Sequence, residues 1–257
     1  MRLTFRALSA TLTAVAVTAA LTASPAAASP ADACAVPPTH EIAEVQGSGD
    51  ATPLAGRTVR VEGIVTGDFQ RDDQLRGFFL QDPTPDADPR TSEGLFAYAG
   101  TGLRDVKVGD RVLVTGRAVE FNGWTELSPV TAVDVCGTGR ITPLRYELPR
   151  PDGVTFEPVE NMLLAFPEPL TVTEHYNLGR YGEITVSAEG RLYQPTDRPG
   201  VDPARNARRA LLIDDGSTAE NPATVPHLVP RPVRLGDTVA GVTGVLGYGF
   251  GAYRLPP

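Results

Sequence analysis

Histidine, methionine, tryptophan, lysine and cysteine are all scarce in this chain of 257 residues, and each shortage excludes something. Three histidines (His40, His175, His227) give no H-x-x-x-H pair, and neither a G-x-S-x-G elbow nor a phosphate-binding glycine loop occurs. Lys107 is the only lysine, so every other fixed cation is an arginine. Acidic residues outnumber basic ones, 31 to 23, for a net charge of −8. Non-specific attraction to a phosphate backbone is therefore opposed, and any nucleic-acid binding must come from a local patch or from stacking. With 26 glycines and 24 prolines, long helices have little room. Only one apolar run is prominent, residues 7–21. It is too short to span a bilayer.

That run follows Arg2 and Arg6 and precedes Ala26-Ala27-Ala28, the layout of an export signal cleaved after Ala28. Ala31-Asp32-Ala33 offers a second cleavage point. Removing the leader takes away two arginines and leaves 21 basic against 31 acidic residues, a net charge of −10. A secreted protein with no membrane attachment is expected. In an oxidising compartment the two cysteines, Cys34 and Cys136, are expected to form one disulfide. Closing a loop of about 100 residues is worth roughly 4.7 kcal/mol in the chain-entropy model.

Periodicity is of the strand kind nearly throughout. "RTVRVEGIVTGDF", "GFFLQD", "GLFAYAG", "DRVLVTGRAVEF" and "TAVDVCG" are short, β-branched or aromatic, and bounded by Gly, Asp and Pro. The best helical candidate is "PARNARRALL", residues 203–212, with proline in its first turn. The spacing suggests a sandwich or small Greek-key barrels, and a repeat narrows that choice. "VKVGDRVLVTGRAVEFNGWTEL" (106–127) returns as "VRLGDTVAGVTGVLGYGFGAYRL" (233–255). Each half aligns as an opening strand pair (59–69; 162–187), a strand ending in aspartate ("GFFLQD"; "ALLIDDG") and the Gly-Asp hairpin. Gly116 and Gly244 fall mid-pattern, where a small barrel needs a bulge or kink. The expected architecture is all-β with little helix: a leader (1–28), a first small barrel (29–137), a linker (138–150) and a second barrel (151–257).

Candidate functional residues fall in four groups. Asp82, Asp86 and Asp88 in "QDPTPDADPRTSEG" could hold Ca²⁺ or Mg²⁺ through hard oxygen ligands, or form a solvated acidic loop. Asp214-Asp215-Gly216-Ser217 takes the matching place in the second half and reads equally well as a turn. His175, Tyr176, Asn177, Arg180 and Tyr181 form the densest polar-aromatic cluster, able to stack a base and touch phosphate, or to pack on its own barrel. Phe121, Trp124, Tyr248, Phe250 and Tyr253 lie on the repeated hairpins, where aromatic rings either stack on bases or fill a barrel, while Phe78 and Leu80 read as core.

The segments "HEIAEVQGSGDATPLAGRTVRVEGIVTG", "GFFLQDPTPDADPRTSEGLFAY" and "VGDRVLVTGRAVEFNGWTEL" resemble the OB-fold-like (YhcR-type) region of secreted nucleases of the ExeM/NucH type, and "LTVTEHYNLGRYGEITVS", "GRLYQPT", "LLIDDGS" and "GVLGYGFGAYRL" resemble the segment that follows it in those proteins. The resemblance covers nearly all of the chain after the leader and implies tandem OB-like Greek-key barrels. It also implies a nuclease context. In that family these segments precede an endonuclease/exonuclease/phosphatase domain that carries divalent-metal phosphodiesterase chemistry, and none of that domain's catalytic positions maps onto residues here. The expectation is a nucleic-acid-binding accessory region for single-stranded DNA or RNA, working with a catalytic domain in cis or in trans. The alternative is a protein- or carbohydrate-binding module at the cell surface.

Overall fold

The structure is a computed structural model describing residues 34–100, 102–225 and 232–257; the expected leader (1–28) and His227 lie outside the described residues. Five strands close the first barrel: β1 (Thr58–Phe69), β2 (Gly77–Gln81), β3 (Gly94–Tyr98), β4 (Asp110–Glu120) and β5 (Thr125–Thr138), in the order β1-β2-β3-β5-β4. All neighbours are antiparallel except β3 and β5, which run parallel with Phe96 opposite Glu126 and Ala97 opposite Leu127. This is the five-stranded Greek-key order of an OB barrel.

Strand alternation explains which residues fill it. Val59, Val61, Phe78, Leu80, Leu95, Val112, Val114 and Leu127 point inward and are buried. A short helix, α1 (Ile42–Gln46), adds Ile42 and Val45 to the same core. The residues expected to pair as two opening strands form one 12-residue strand, β1. Its register shifts between Val65 and Gly67, which lets one strand pair with both β2 and β4. In β4 the register shifts on both sides of Gly116, as expected for a barrel corner. The disulfide joins Cys34 to Cys136 near the end of β5, with Cα atoms 5.6 Å apart.

The second half repeats this order with broken strands. Its elements are β6 (Leu144–Arg145), β7 (Leu163–Phe166), β8 (Leu170–Glu174), α2 (Leu178–Tyr181), β9 (Ile184–Ser187), α3 (Pro203–Arg209), β10 (Ala210–Ile213), β11 (Thr238–Val239), β12 (Val242–Val245), β13 (Gly247–Gly249) and β14 (Ala252–Leu255). They form a six-stranded sheet, β11-β8-β9-β10-β14-β13, and a three-stranded sheet, β12-β7-β6. Since β7 and β8 are one run interrupted by Pro167 and Pro169, and β11, β12 and β13 are one run interrupted at Gly241 and at Leu246, the pairing order matches that of the first barrel. A second uninterrupted barrel is not what forms.

Four sequence expectations need correction. The strand before Asp214, β10, takes the place of β3 and not of β2, because it runs parallel to β14 with Leu212 opposite Arg254 and Ile213 opposite Leu255. Asp214 therefore corresponds to Tyr98, and not to Asp82. Gly244 sits in an unshifted register; a Cβ there would lie 2.3 Å from the Pro256 carbonyl, so close approach of two chain segments demands it. The helical candidate ends at Arg209 and continues as strand β10. Its start is as expected, with Pro203 in the first turn and Asp202 Oδ1 accepting from the Ala204 N–H at 2.9 Å. The expected linker is folded into the second half: β6 pairs with β7, and Leu148 is buried in the second core.

A third apolar cluster joins the halves, where Phe69, Phe79 and Phe96 meet Val245, with Leu163 and Trp124 packed beside them. Polar bonds fix the seam. Asn161, at φ 61°, receives the Trp124 indole N–H at 2.7 Å and donates to the Thr125 carbonyl, while the Gln81 amide oxygen accepts from the Leu163 N–H at 2.9 Å. Glu160 is fully buried there, and its Oε2 accepts from the Thr125 N–H. Burial, with Glu157 adding like charge, pushes its carboxyl up to about 9. Among the described residues no helix is long and apolar enough to cross a membrane.

Candidate functional site

Alternation that sends Phe78, Leu80, Leu95, Ala97 and Leu127 into the first barrel sends their neighbours outward. Phe79 on β2 pairs with Phe96 on β3, which pairs with Glu126 on β5, so the three form a row across the outer face. Tyr98 and Ser128 extend it one step along the strands. The Phe79 and Phe96 rings lie 4.9 Å apart, and Trp124 stacks on Phe96 at 4.3 Å and 19°. In OB barrels the β2–β3 face and the β4–β5 loop are where oligonucleotides and oligosaccharides bind.

Here that face is opposed by the equivalent residues of the second half. Because the registers match, Arg254 corresponds to Glu126 and Asp214 to Tyr98. All four line one cleft of about 760 Å³ between the halves. Its size falls within the range of small-ligand pockets.

The two β-hairpins at the rim are also equivalent. In the first, residues 121–124 close a two-residue turn, with the Phe121 N–H donating to the Trp124 carbonyl at 2.9 Å and the Trp124 N–H donating back at 3.1 Å. Asn122 (φ 54°) and Gly123 (φ 82°) supply the two positive φ values such a turn demands. In the second, between β13 and β14, those positions are Phe250 (φ 53°) and Gly251 (φ 79°). A bulky residue at positive φ is an outlier. Phe250 is also 94 % exposed, and Phe121 of the first hairpin is 57 % exposed.

Charge in the cleft is sparse. Arg254, the one cation among the described residues lining it, is held at 2.9 Å by Glu183, at 2.6 Å by Asp214 and at 2.9 Å by the Gly249 carbonyl. Burial raises the Asp214 carboxyl, against the pull of the Gly216 N–H and of Arg254. Glu126, 5 % exposed, is pushed up to about 7 by burial, with the Ser128 hydroxyl opposing and Glu120 reinforcing the shift. Its carboxyl thus changes charge near neutral pH.

Of the residues singled out in the sequence, Phe121, Trp124, Tyr248, Phe250, Asp214 and Ser217 come together at this cleft. Trp124 forms part of its floor. Tyr253 does not line it; its ring packs 5.5 Å from Phe156 in the second core and its hydroxyl donates to the Glu157 carboxylate. His175, Tyr176, Arg180 and Tyr181 lie on the β8–β9 connection and do not line the cleft either. Tyr176 is 89 % exposed, and Arg180 pairs with Glu220 at 2.9 Å while stacking over Tyr181 at 4.8 Å.

The acidic loop does not form a metal cage. Asp82 Oδ1 accepts from the Thr84 N–H at 2.7 Å, Asp86 Oδ1 from the Asp88 N–H at 2.7 Å, and Asp88 binds Arg90 at 2.6 Å, so each carboxylate closes its own turn. No group of three His, Cys, Asp or Glu among the described residues is arranged to hold a metal ion. Tyr98, Glu126 and Arg254 escaped sequence reasoning. Only the register between β3 and β5, repeated between β10 and β14, places them together.

Residues 138–257 match the model of a family described as a domain of unknown function (DUF8508). The match begins at the last residue of β5, where the first barrel ends and the second half starts. No curated protein and no solved structure matches the chain significantly.

Proposed function

We propose that this chain is an exported nucleic-acid-handling region that holds single-stranded DNA or RNA by stacking bases in the cleft between its two halves. It serves as the accessory part of a nuclease whose phosphodiester chemistry is performed by another domain, in cis or in trans. The observation that carries this reading is Phe250. A phenylalanine held at φ 53° costs the fold about 1–2 kcal/mol, and at 94 % exposure it recovers almost nothing by burial. Lining the same aromatic-floored cleft as Phe121, it is suited to stacking, which is worth about 1–3 kcal/mol per base. The disulfide, together with the leader pattern, supports export.

A second reading, binding of an oligosaccharide, draws on one further observation: Glu126, Asp214 and the hydroxyls of Ser128, Ser217 and Thr218 lie beside the ring faces in the same cleft.

Anisotropy titration of a labelled single-stranded 12-mer, a duplex of the same sequence and a labelled oligosaccharide separates the two. The expected result is saturable binding of the single strand alone, with a log–log salt slope shallower than about −1, since Arg254 is already paired. Absence of oligonucleotide binding at low salt refutes the proposal, and binding of the sugar alone establishes the second reading.

A further inference from the structure

Glu126 is a feature that stacking leaves unexplained. It is an outward-facing residue on β5, only 5 % exposed, and it lines the cleft. Its hydrogen-bond partner is the Ser128 hydroxyl two residues along the same face, and it forms no ion pair among the described residues. The other charged groups around it give it no cation. Glu120, at the end of β4, adds like charge, and Arg254 across the cleft is taken up by Asp214 and Glu183. Burial disfavours the charged form of such a group, and a ligand that donated N–H groups to it would offset that cost.

Position decides what such a ligand presents. Glu126 stands beside Phe96 in the cross-strand pairing, and Phe96 stacks with Trp124, so the carboxylate lies at the margin of the aromatic floor. A flat ring lying along the floor turns its edge to Glu126. In a single strand that edge is the unpaired Watson–Crick edge.

We propose that Glu126 is the residue that determines which base the cleft holds, accepting two adjacent N–H donors from guanine and rejecting thymine and uracil. This rests on the nucleic-acid reading given above. Guanine offers N1–H and N2–H side by side, a spacing that a carboxylate accepts in bidentate fashion. Thymine and uracil place a carbonyl on each side of their single N–H, setting lone pairs against the carboxylate. Cytosine and adenine, each with one exocyclic amino group, fall between.

The test uses the intact chain and nine-nucleotide strands: all thymidine, and the same strand with guanine or hypoxanthine at the central position. Hypoxanthine keeps N1–H and lacks the N2 amino group. At pH 8 the guanine strand is expected to bind about 10-fold tighter than the thymidine strand, with hypoxanthine intermediate. In Glu126→Gln the guanine preference is expected to shrink to about twofold or less while binding of the thymidine strand persists. Equal affinities in the unmodified protein overturn the inference even if the variant does not fold. So does a guanine preference that survives in Glu126→Gln. Binding without discrimination sinks this assignment alone, whereas no binding of any strand sinks the nucleic-acid reading together with it.

Discussion

Replacing Phe250 with asparagine should raise stability and weaken binding at once, and the opposition of signs is what makes the experiment informative. Phe250 sits at φ 53° beside Gly251 at φ 79° in a two-residue turn. Asparagine is the residue the chain itself uses at the equivalent place, Asn122 at φ 54°. The left-handed conformation costs an ordinary residue about 1–2 kcal/mol, and asparagine avoids much of that. Phe250 offers the fold little to set against the cost. It is 94 % exposed, and the Arg254 guanidinium carbon lies 5.0 Å from its ring centre, a contact worth about 0.5–1 kcal/mol at an exposed site. The net expectation for Phe250→Asn is a gain of about 0.5–1 kcal/mol, read as a higher urea midpoint at unchanged slope. Single-strand affinity should fall by about 1–3 kcal/mol, the stacking contribution of one base. A variant less stable than the parent refutes the assignment of strain. One that binds as well as the parent refutes the role given to the ring.

Other outcomes follow from the seam and from the disulfide. Glu160 has an ordinary carboxyl value when unfolded (4.5) and is pushed up to about 9 in the fold. Between those limits the folded chain keeps a proton that the unfolded chain has lost, so its contribution to stability is full below about pH 4.5 and drains away as pH rises, at about 1.4 kcal/mol per unit. Glu160→Gln should therefore gain on the parent progressively from pH 5 to pH 8 in urea unfolding, by about 3 kcal/mol at pH 7; parallel pH curves would contradict it. Cys34→Ser combined with Cys136→Ser removes a cross-link across 102 residues and should lower stability by about 2–5 kcal/mol, with single-strand binding by the refolded protein unchanged at low urea. Loss of binding while the fold persists would place the disulfide nearer the site than the cleft allows.

Much of the fold could be read from local pattern. The repeat of "GDRVLVTG" as "GDTVAGVTG" marks a duplicated topology, the Asn122-Gly123 pair marks a hairpin, and an even count of two cysteines marks a disulfide. What escaped depends on pairing between distant segments. "GFFLQD" and "ALLIDDG" look alike, each a strand ending in aspartate, yet the first becomes β2 and the second occupies the place of β3. Only a parallel partner more than 40 residues downstream, β14, distinguishes them. Rings on the hairpins are sorted by the same kind of information. Tyr248 and Tyr253 are directly opposite in the β13–β14 pair, but Tyr253 turns to Phe156 and the second core while Tyr248 stays on the cleft wall. Spacing suggested a cation site at Asp82, Asp86 and Asp88, whereas the intervening prolines set each aspartate to cap its own turn. The cleft itself belongs to neither half alone, and no local stretch of sequence announces that two equivalent faces meet.

Trp124 is the only tryptophan in the chain and forms part of the cleft floor, stacked on Phe96. Its emission, followed while a single-stranded oligonucleotide is added, therefore reports occupancy of this cleft and of no other surface. Saturable quenching that tracks the anisotropy titration, accompanied by protection of the indole from acrylamide, is the predicted result. Oligonucleotide binding that leaves Trp124 emission and accessibility untouched would contradict the placement of the site between the two halves.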